Sequence, residues 1–178
     1  MEDEKTVIPI QKWVESLVVG LNLCPFAKRE LVKNRVRFSP TPAPTEEQLL
    51  LALQTELELL NTDPTIETTL LIHPNVLQDF DDYNEFLDYA DQLLVQMGLE
   101  GIYQIASFHP DYQFDGVLAQ DPENYTNRSP FPLLHIIREA SLERAIADYP
   151  DVNEIPIRNI AMMNELGRDK LLASCFND

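Results

Sequence analysis

Residues 124–139, NYTNRSPFPLLHIIRE, decide how the C-terminal half of this chain is read. The stretch opens as a polar loop, meets Pro130 and Pro132, and then turns apolar with His135, Arg138 and Glu139 at helical spacing. Ser129 suits an N-cap, Pro130 the first helical position, and Pro132 the first turn, where backbone N–H groups lack partners anyway. The reading is a helix from Pro130 to Ala147. Its wheel places Leu133, Ile136, Ala140 and Ala147 on one stripe, and His135, Arg138 and Glu139 on another with Phe131, Leu142 and Ile146. A face mixing His, Arg and Glu with large apolar groups suits a pocket wall. The same residues also suit a buried Arg–Glu pair beside a hydrogen-bonded histidine. Arg128, just ahead of the cap, favours an anion site.

Working outward, Ile10, Trp13, Val14, Leu17, Val18 and Leu21 recur at the i, i+3, i+4, i+7 spacing of an amphipathic helix. A short helix is expected from Pro25 to Lys33. RVRFS reads as a strand, and the Pro-rich turn PTPAPT ends it. Thr45 caps a helix from Glu46 to about Leu60. TTLLIHP reads as a buried strand, residues 82–97 as a helix stopped by Gly98, and IYQIASFHP as the next strand. A short edge strand around QFDGVL and a C-terminal helical pair complete the list. Strand–helix–strand–helix–strand with crossovers of this length implies parallel strands. The expected fold is therefore α/β: one globular domain over residues 1–178, with a small, mostly parallel sheet of three or four strands covered by helices. A ferredoxin-like α+β arrangement is the alternative.

Composition narrows the class. At 178 residues with 44% hydrophobic and 24% charged residues, the chain lies in the soluble globular range and can bury a substantial core. No apolar run approaches the length of a membrane span. The acidic start MEDEKTVIPIQ lacks the basic and apolar regions of a signal peptide, so a cytoplasmic location is expected. The net charge is −17, and all of the excess lies between Phe38 and Asn127, which hold seventeen acidic residues and no Lys or Arg. Nucleic-acid binding needs a basic footprint, so no nucleic-acid partner is expected. Solubility is the plain reading of the acidic middle. Five glycines form neither a G-x-G-x-x-G turn nor a P-loop, so no cofactor is named.

Three places carry residues suited to chemistry. His73 and His109 each end a strand and precede proline, which puts both at the carboxyl edge where open α/β sheets bind ligands. An X-Pro step also ends a strand without any such role. FHPDYQFDG adds Asp111, Tyr112 and Asp115 within a long loop, and long loops in compact domains are more often functional than idle. Cys24 precedes Pro25 at an expected helix start. The helix dipole, with Lys28 and Arg29 a turn away, favours a thiolate there, whereas burial opposes it. Cys175 reads as a packing residue, and a disulfide to Cys24 is not expected in a reducing compartment.

Three segments, LNLCPFAKRE, QIASFHPDYQF and ENYTNRSPFPLLHIIRE, together resemble a bacterial family catalogued as domain of unknown function 1415. The likeness runs over nearly the whole chain. It maps the family pattern onto Cys24, Pro25, Phe26, His109, Pro110, Asn127, Arg128, Ser129, Pro130, Pro132, His135, Arg138 and Glu139. It implies a site on these residues and names no reaction.

Three functions follow from the residues. The first is an enzyme acting on a small anionic metabolite. In it Cys24, His109 and His135 do the chemistry, and Arg128, Arg138, Asn127 and Tyr112 bind substrate. The second is a metal site built from His109, His135 and Asp111, with Cys24 or His73, although no pair has a local ligand spacing. The third is a non-enzymatic ligand-binding or interaction domain.

Overall fold

The computed structural model describes residues 2–175, with side chains described for 3–173. Four strands, β1 (Val36–Pro40), β2 (Thr68–Ile72), β3 (Tyr103–Phe108) and β4 (Leu133–Arg138), form one sheet in the order β1-β2-β4-β3. β1 and β2 are parallel, while β4 is antiparallel to both of its neighbours. The α/β class holds, in a mixed sheet. β1, β2 and β3 share one direction, as the crossovers demanded, and β4 is inserted between β2 and β3 against them.

That insertion corrects the reading of the quoted stretch. Residues 133–138 form a central strand, and the helix α5 (Glu139–Ala147) begins only after it. Two features drive the chain this way. Pro130 and Pro132 push Ser129 and Phe131 toward extended backbone, because a residue before proline is crowded out of the helical region. LLHIIR is apolar on both faces, which suits a strand covered on both sides. Leu134 and Ile136 face one core, and Leu133 the other. The segment 111–121 contains no strand, so the expected edge strand at QFDGVL is absent.

The helices α3 (Glu46–Thr62) and α4 (Phe80–Gln96) make the two parallel crossovers and share one face of the sheet. Thr45 accepts the Gln48 N–H at the start of α3, and Asp79 accepts from Asp81 and Asp82 at the start of α4. Leu49, Leu53, Leu57 and Leu60 of α3 pack with Tyr83, Phe86 and Ala90 of α4 over Leu71, Leu134 and Ile136. The other face carries α1 (Glu2–Trp13), its π-helical continuation Val14–Val19, α6 (Glu154–Leu166) and α7 (Arg168–Cys175). There Ile10, Trp13 and Leu17 meet Leu70, Ile72, Leu133 and Met163. The short α2 (Ala27–Val32) lies between that continuation and β1. At the β1 edge Glu56, only 6% exposed, accepts from Arg37 at 2.8 and 3.1 Å and from Ser39 at 2.7 Å. This anchors α3 to the edge strand. Among the described residues no helix is long and apolar enough to cross a membrane.

Candidate functional site

Since β1, β2 and β3 run together, their carboxyl ends meet the start of β4 at one edge, where Ile72 and Phe108 both pair with Leu133. His73 and His109 stand there, as the sequence suggested, but both are fully buried. His73 Nδ1 donates to the Val76 carbonyl at 3.0 Å, and His109 Nε2 donates to the Leu77 carbonyl at 3.1 Å. His109 Nδ1 accepts the Asp111 N–H at 3.0 Å, so its ring is neutral with the proton on Nε2. Burial drives His73 down to about 4, and the same cause lowers His109. Tyr83 lies between them, stacked on His73 at 5.8 Å and 5.1 Å from His109. Its hydroxyl accepts the Phe108 N–H at 3.0 Å and donates to the Leu133 carbonyl at 2.8 Å, bridging β3 to β4.

A cavity of about 360 Å³ opens on the other face of the sheet. Cys24, Phe108, Phe114, Asn127, Asn159 and Ile160 are among the residues that line it. Side chains alternate along β3, so Phe108 turns toward Trp13, 5.4 Å away edge to face, while His109 turns toward α4. Cys24 reaches the cavity from a tight turn after the π-helical segment, in which Asn22 has φ 52° and Leu23 N–H returns to the Val18 carbonyl. The Cys24 carbonyl then accepts the Ala27 N–H, so α2 starts at Ala27 instead of Pro25. The thiol thus sits ahead of a six-residue helix, beyond its first turn, where the dipole has faded. Lys28 and Arg29 are exposed, and Arg29 pairs with Glu30 at 2.8 Å.

Asn127 shares this cavity with Cys24. Its Nδ2 donates to the Ser107 carbonyl at 3.0 Å and its own carbonyl accepts the His109 N–H, which ties the loop to the outer edge of β3. The remaining sequence candidates lie elsewhere. Arg128, 9% exposed, donates to the Tyr112 carbonyl at 3.0 Å and the Ala119 carbonyl at 2.7 Å, with its guanidinium 4.8 Å from the Tyr125 ring centre. The Tyr112 ring packs between Phe80 and Phe114. Arg138 is at the opposite edge of the sheet. It donates to the carbonyls of Leu60, Asp63 and Ile66 and to the Tyr103 hydroxyl. His135 sits mid-strand, with Nε2 donating to Thr68 Oγ1 at 2.7 Å while Thr68 donates to the Ile136 carbonyl. Burial lowers His135 to about 4.

The expected face shared by His135, Arg138 and Glu139 therefore does not exist, because a strand sends residues 135 and 138 to opposite sides. His109 and His135 are separated by the sheet, and among the described residues no group of three His, Cys, Asp or Glu side chains is placed to hold a metal ion. The Cys175 side chain lies outside the described ones. The structure adds residues that sequence reading passed over. Asn124, fully buried, accepts the Phe114 N–H and donates to the Leu118 carbonyl, so with Arg128 it shapes the loop 111–121. Its place inside NYTNRS was the available signal. Asn159 and Tyr83 lie in ordinary amphipathic helices, and nothing local marks them.

A family described as protein of unknown function (DUF1415) matches residues 5–173, and the chain belongs to that family. No curated protein and no solved structure matches the chain.

Proposed function

We propose that the protein binds a small, uncharged, mainly apolar molecule in the cavity beside Cys24. The observation that carries this reading is the meeting of Cys24 and Asn127, from distant parts of the chain, on one cavity of about 360 Å³. Such a volume falls at the small end of ligand pockets, which combine an apolar body with a few placed polar groups. Here Leu23, Phe108, Phe114 and Ile160 supply the body, and Thr126, Asn127, Asn159 and the thiol supply the polarity. Among the described residues no charged side chain lines it. Arg128 and Arg138, the residues that favoured an anionic metabolite, donate instead to backbone carbonyls. An anion in this cavity would lack a cation, and burial of an unpaired charge is costly.

A second reading has Cys24 attacking an electrophilic ligand. It is favoured by the position of the thiol in the cavity wall. Among the described residues no proton acceptor of histidine or carboxylate type lines the cavity, and His135 lies behind Phe108 with the rings 6.2 Å apart. Binding is therefore the stronger reading.

A thermal-shift screen with separate uncharged and anionic arms tests the proposal, with Trp13, the single tryptophan, as a second reporter beside Phe108. A ligand that binds only the folded chain raises its melting temperature by mass action. Uncharged apolar compounds are expected to do so, and Cys24→Phe, which fills the cavity, is expected to abolish the shift. A shift produced only by anions and removed by Arg128→Ala would overturn this reading in favour of the anionic one.

A further inference from the structure

We propose that α6 is a hinged cover clasped onto the Cys24 turn, and that Arg158 and Asn159 are the positioning residues that set access to the cavity beneath it. The inference rests on the reading of that cavity as a ligand site and adds its gate. Pro156, Asn159 and Ile160 of α6 line the cavity together with Cys24. Two adjacent side chains of α6 hold the two carbonyls that precede the cysteine: Arg158 donates to Asn22 at 3.1 Å, and Asn159 donates to Leu23 at 2.9 Å. The segment leading into α6 makes a third attachment. Tyr149 packs edge to face on Phe26 at 5.7 Å, and its hydroxyl accepts from Arg158 at 3.3 Å. The turn carrying Cys24, Pro25 and Phe26 is thus held from outside by the C-terminal part of the chain.

The attachment of α6 to the Cys24 turn is mainly polar. Met163 is the one fully buried residue of α6, while Ile157 and Ile160 remain 62% and 40% exposed. A helix anchored by so little buried apolar surface opens at lower free energy than the core elements. Two atoms of the clasp make the closed state costlier still. Arg158 Nε and Asn159 Oδ1 are shielded from solvent and have no hydrogen-bond partner among the described residues. A shielded polar atom left unpaired bears its desolvation cost, and opening returns both to water. Gly167, with φ 76° at the end of α6, provides a backbone pivot that only glycine adopts freely. Cys24 is half-buried in the closed state, and opening of α6 would leave the β3 and Asn127 walls in place and expose more of it, which is how covers commonly admit ligands.

The test is the rate of iodoacetamide labelling of Cys24 in a Cys175→Ser chain, read together with hydrogen exchange. The folded parent is expected to label well below the rate of the urea-unfolded chain. Asn159→Ala and Arg158→Ala are each expected to raise the folded rate by about tenfold, since one net hydrogen bond corresponds to roughly that factor. Amides of α6 are expected to exchange before those of β2 and β4 in the unmutated chain, a measurement that needs no variant to fold. Labelling of the parent at the unfolded rate would show that nothing covers the thiol. Variants within twofold of the parent, or α6 amides protected as strongly as β4, would make α6 a fixed wall. Either result removes the gate and leaves ligand binding standing, whereas a silent ligand screen with gated labelling removes the ligand and leaves the gate.

Discussion

His73 and His109 hold two consecutive carbonyls of one turn: His73 donates to Val76 and His109 donates to Leu77. The turn joins β2 to α4 and needs this support, because Leu77 is a buried, non-glycine residue with φ 58°. Two residues that the sequence offered as edge ligands therefore serve as neutral donors inside the fold. The FHP and IHP steps are strand ends whose histidines turn inward.

Their neutrality makes stability depend on pH. In the folded chain burial holds His73 near 4, lowers His109, and holds His135 near 4, below the ordinary 6.5. The unfolded chain takes up these protons first, so the contribution is complete above about pH 6.5 and is lost as the pH falls toward 4. For His73 alone this is on the order of 3 kcal/mol. Urea melts at pH 7 and pH 5 are expected to show a lower midpoint at pH 5. His73→Phe, which keeps the stacking on Tyr83, is expected to show a smaller difference between the two. An unchanged difference would mean that the fold does not lower the His73 pKa.

Tyr83→Phe removes the hydroxyl that bonds both the Phe108 N–H and the Leu133 carbonyl. The expected loss is roughly 2–3 kcal/mol by urea denaturation, larger than for an exposed tyrosine. Faster exchange of the Phe108 amide would locate the damage at the β3–β4 junction.

Arg138→Met is expected to destabilise by roughly 2–4 kcal/mol, because carbonyls of Leu60, Asp63 and Ile66 lose their shared donor. Arg138→Lys is expected to recover less than half of it, since a point charge cannot serve a fan of acceptors. An anion-binding role predicts the contrary, with stability retained and ligand response lost.

Asn124→Ala is expected to free the loop 111–121, which loses its bonds at Phe114 and Leu118. Proteolysis within that loop should accelerate by several-fold, and global stability should fall by roughly 1–3 kcal/mol. Unchanged cleavage would show that Arg128 and the Tyr112–Phe114 packing suffice.

Sequence alone determined the elements whose signals are local. Thr45 and its following apolar period gave α3, Gly98 closed α4, and the strands ending at Ile72 and Phe108 had β-branched or aromatic residues and a proline stop. Crossover length then gave a common direction for β1, β2 and β3, hence one carboxyl edge. Only the tertiary structure decided the rest. LLHIIR is apolar on every side, so its period cannot separate a buried helix from a strand between two others, and the vacancy between β2 and β3 settled it. That one change sent His135 and Arg138 to opposite faces and broke up the site inferred for them. Arg128, Arg138, His73 and His109 looked reactive because charged and titratable types suggest chemistry. Their fate depended on which backbone carbonyls the fold left without donors, a quantity fixed by the packing of distant segments. The Cys24 cavity is of the same kind. Its walls come from the first turn, the β3 edge and α6, and no local spacing in the chain announces that they meet.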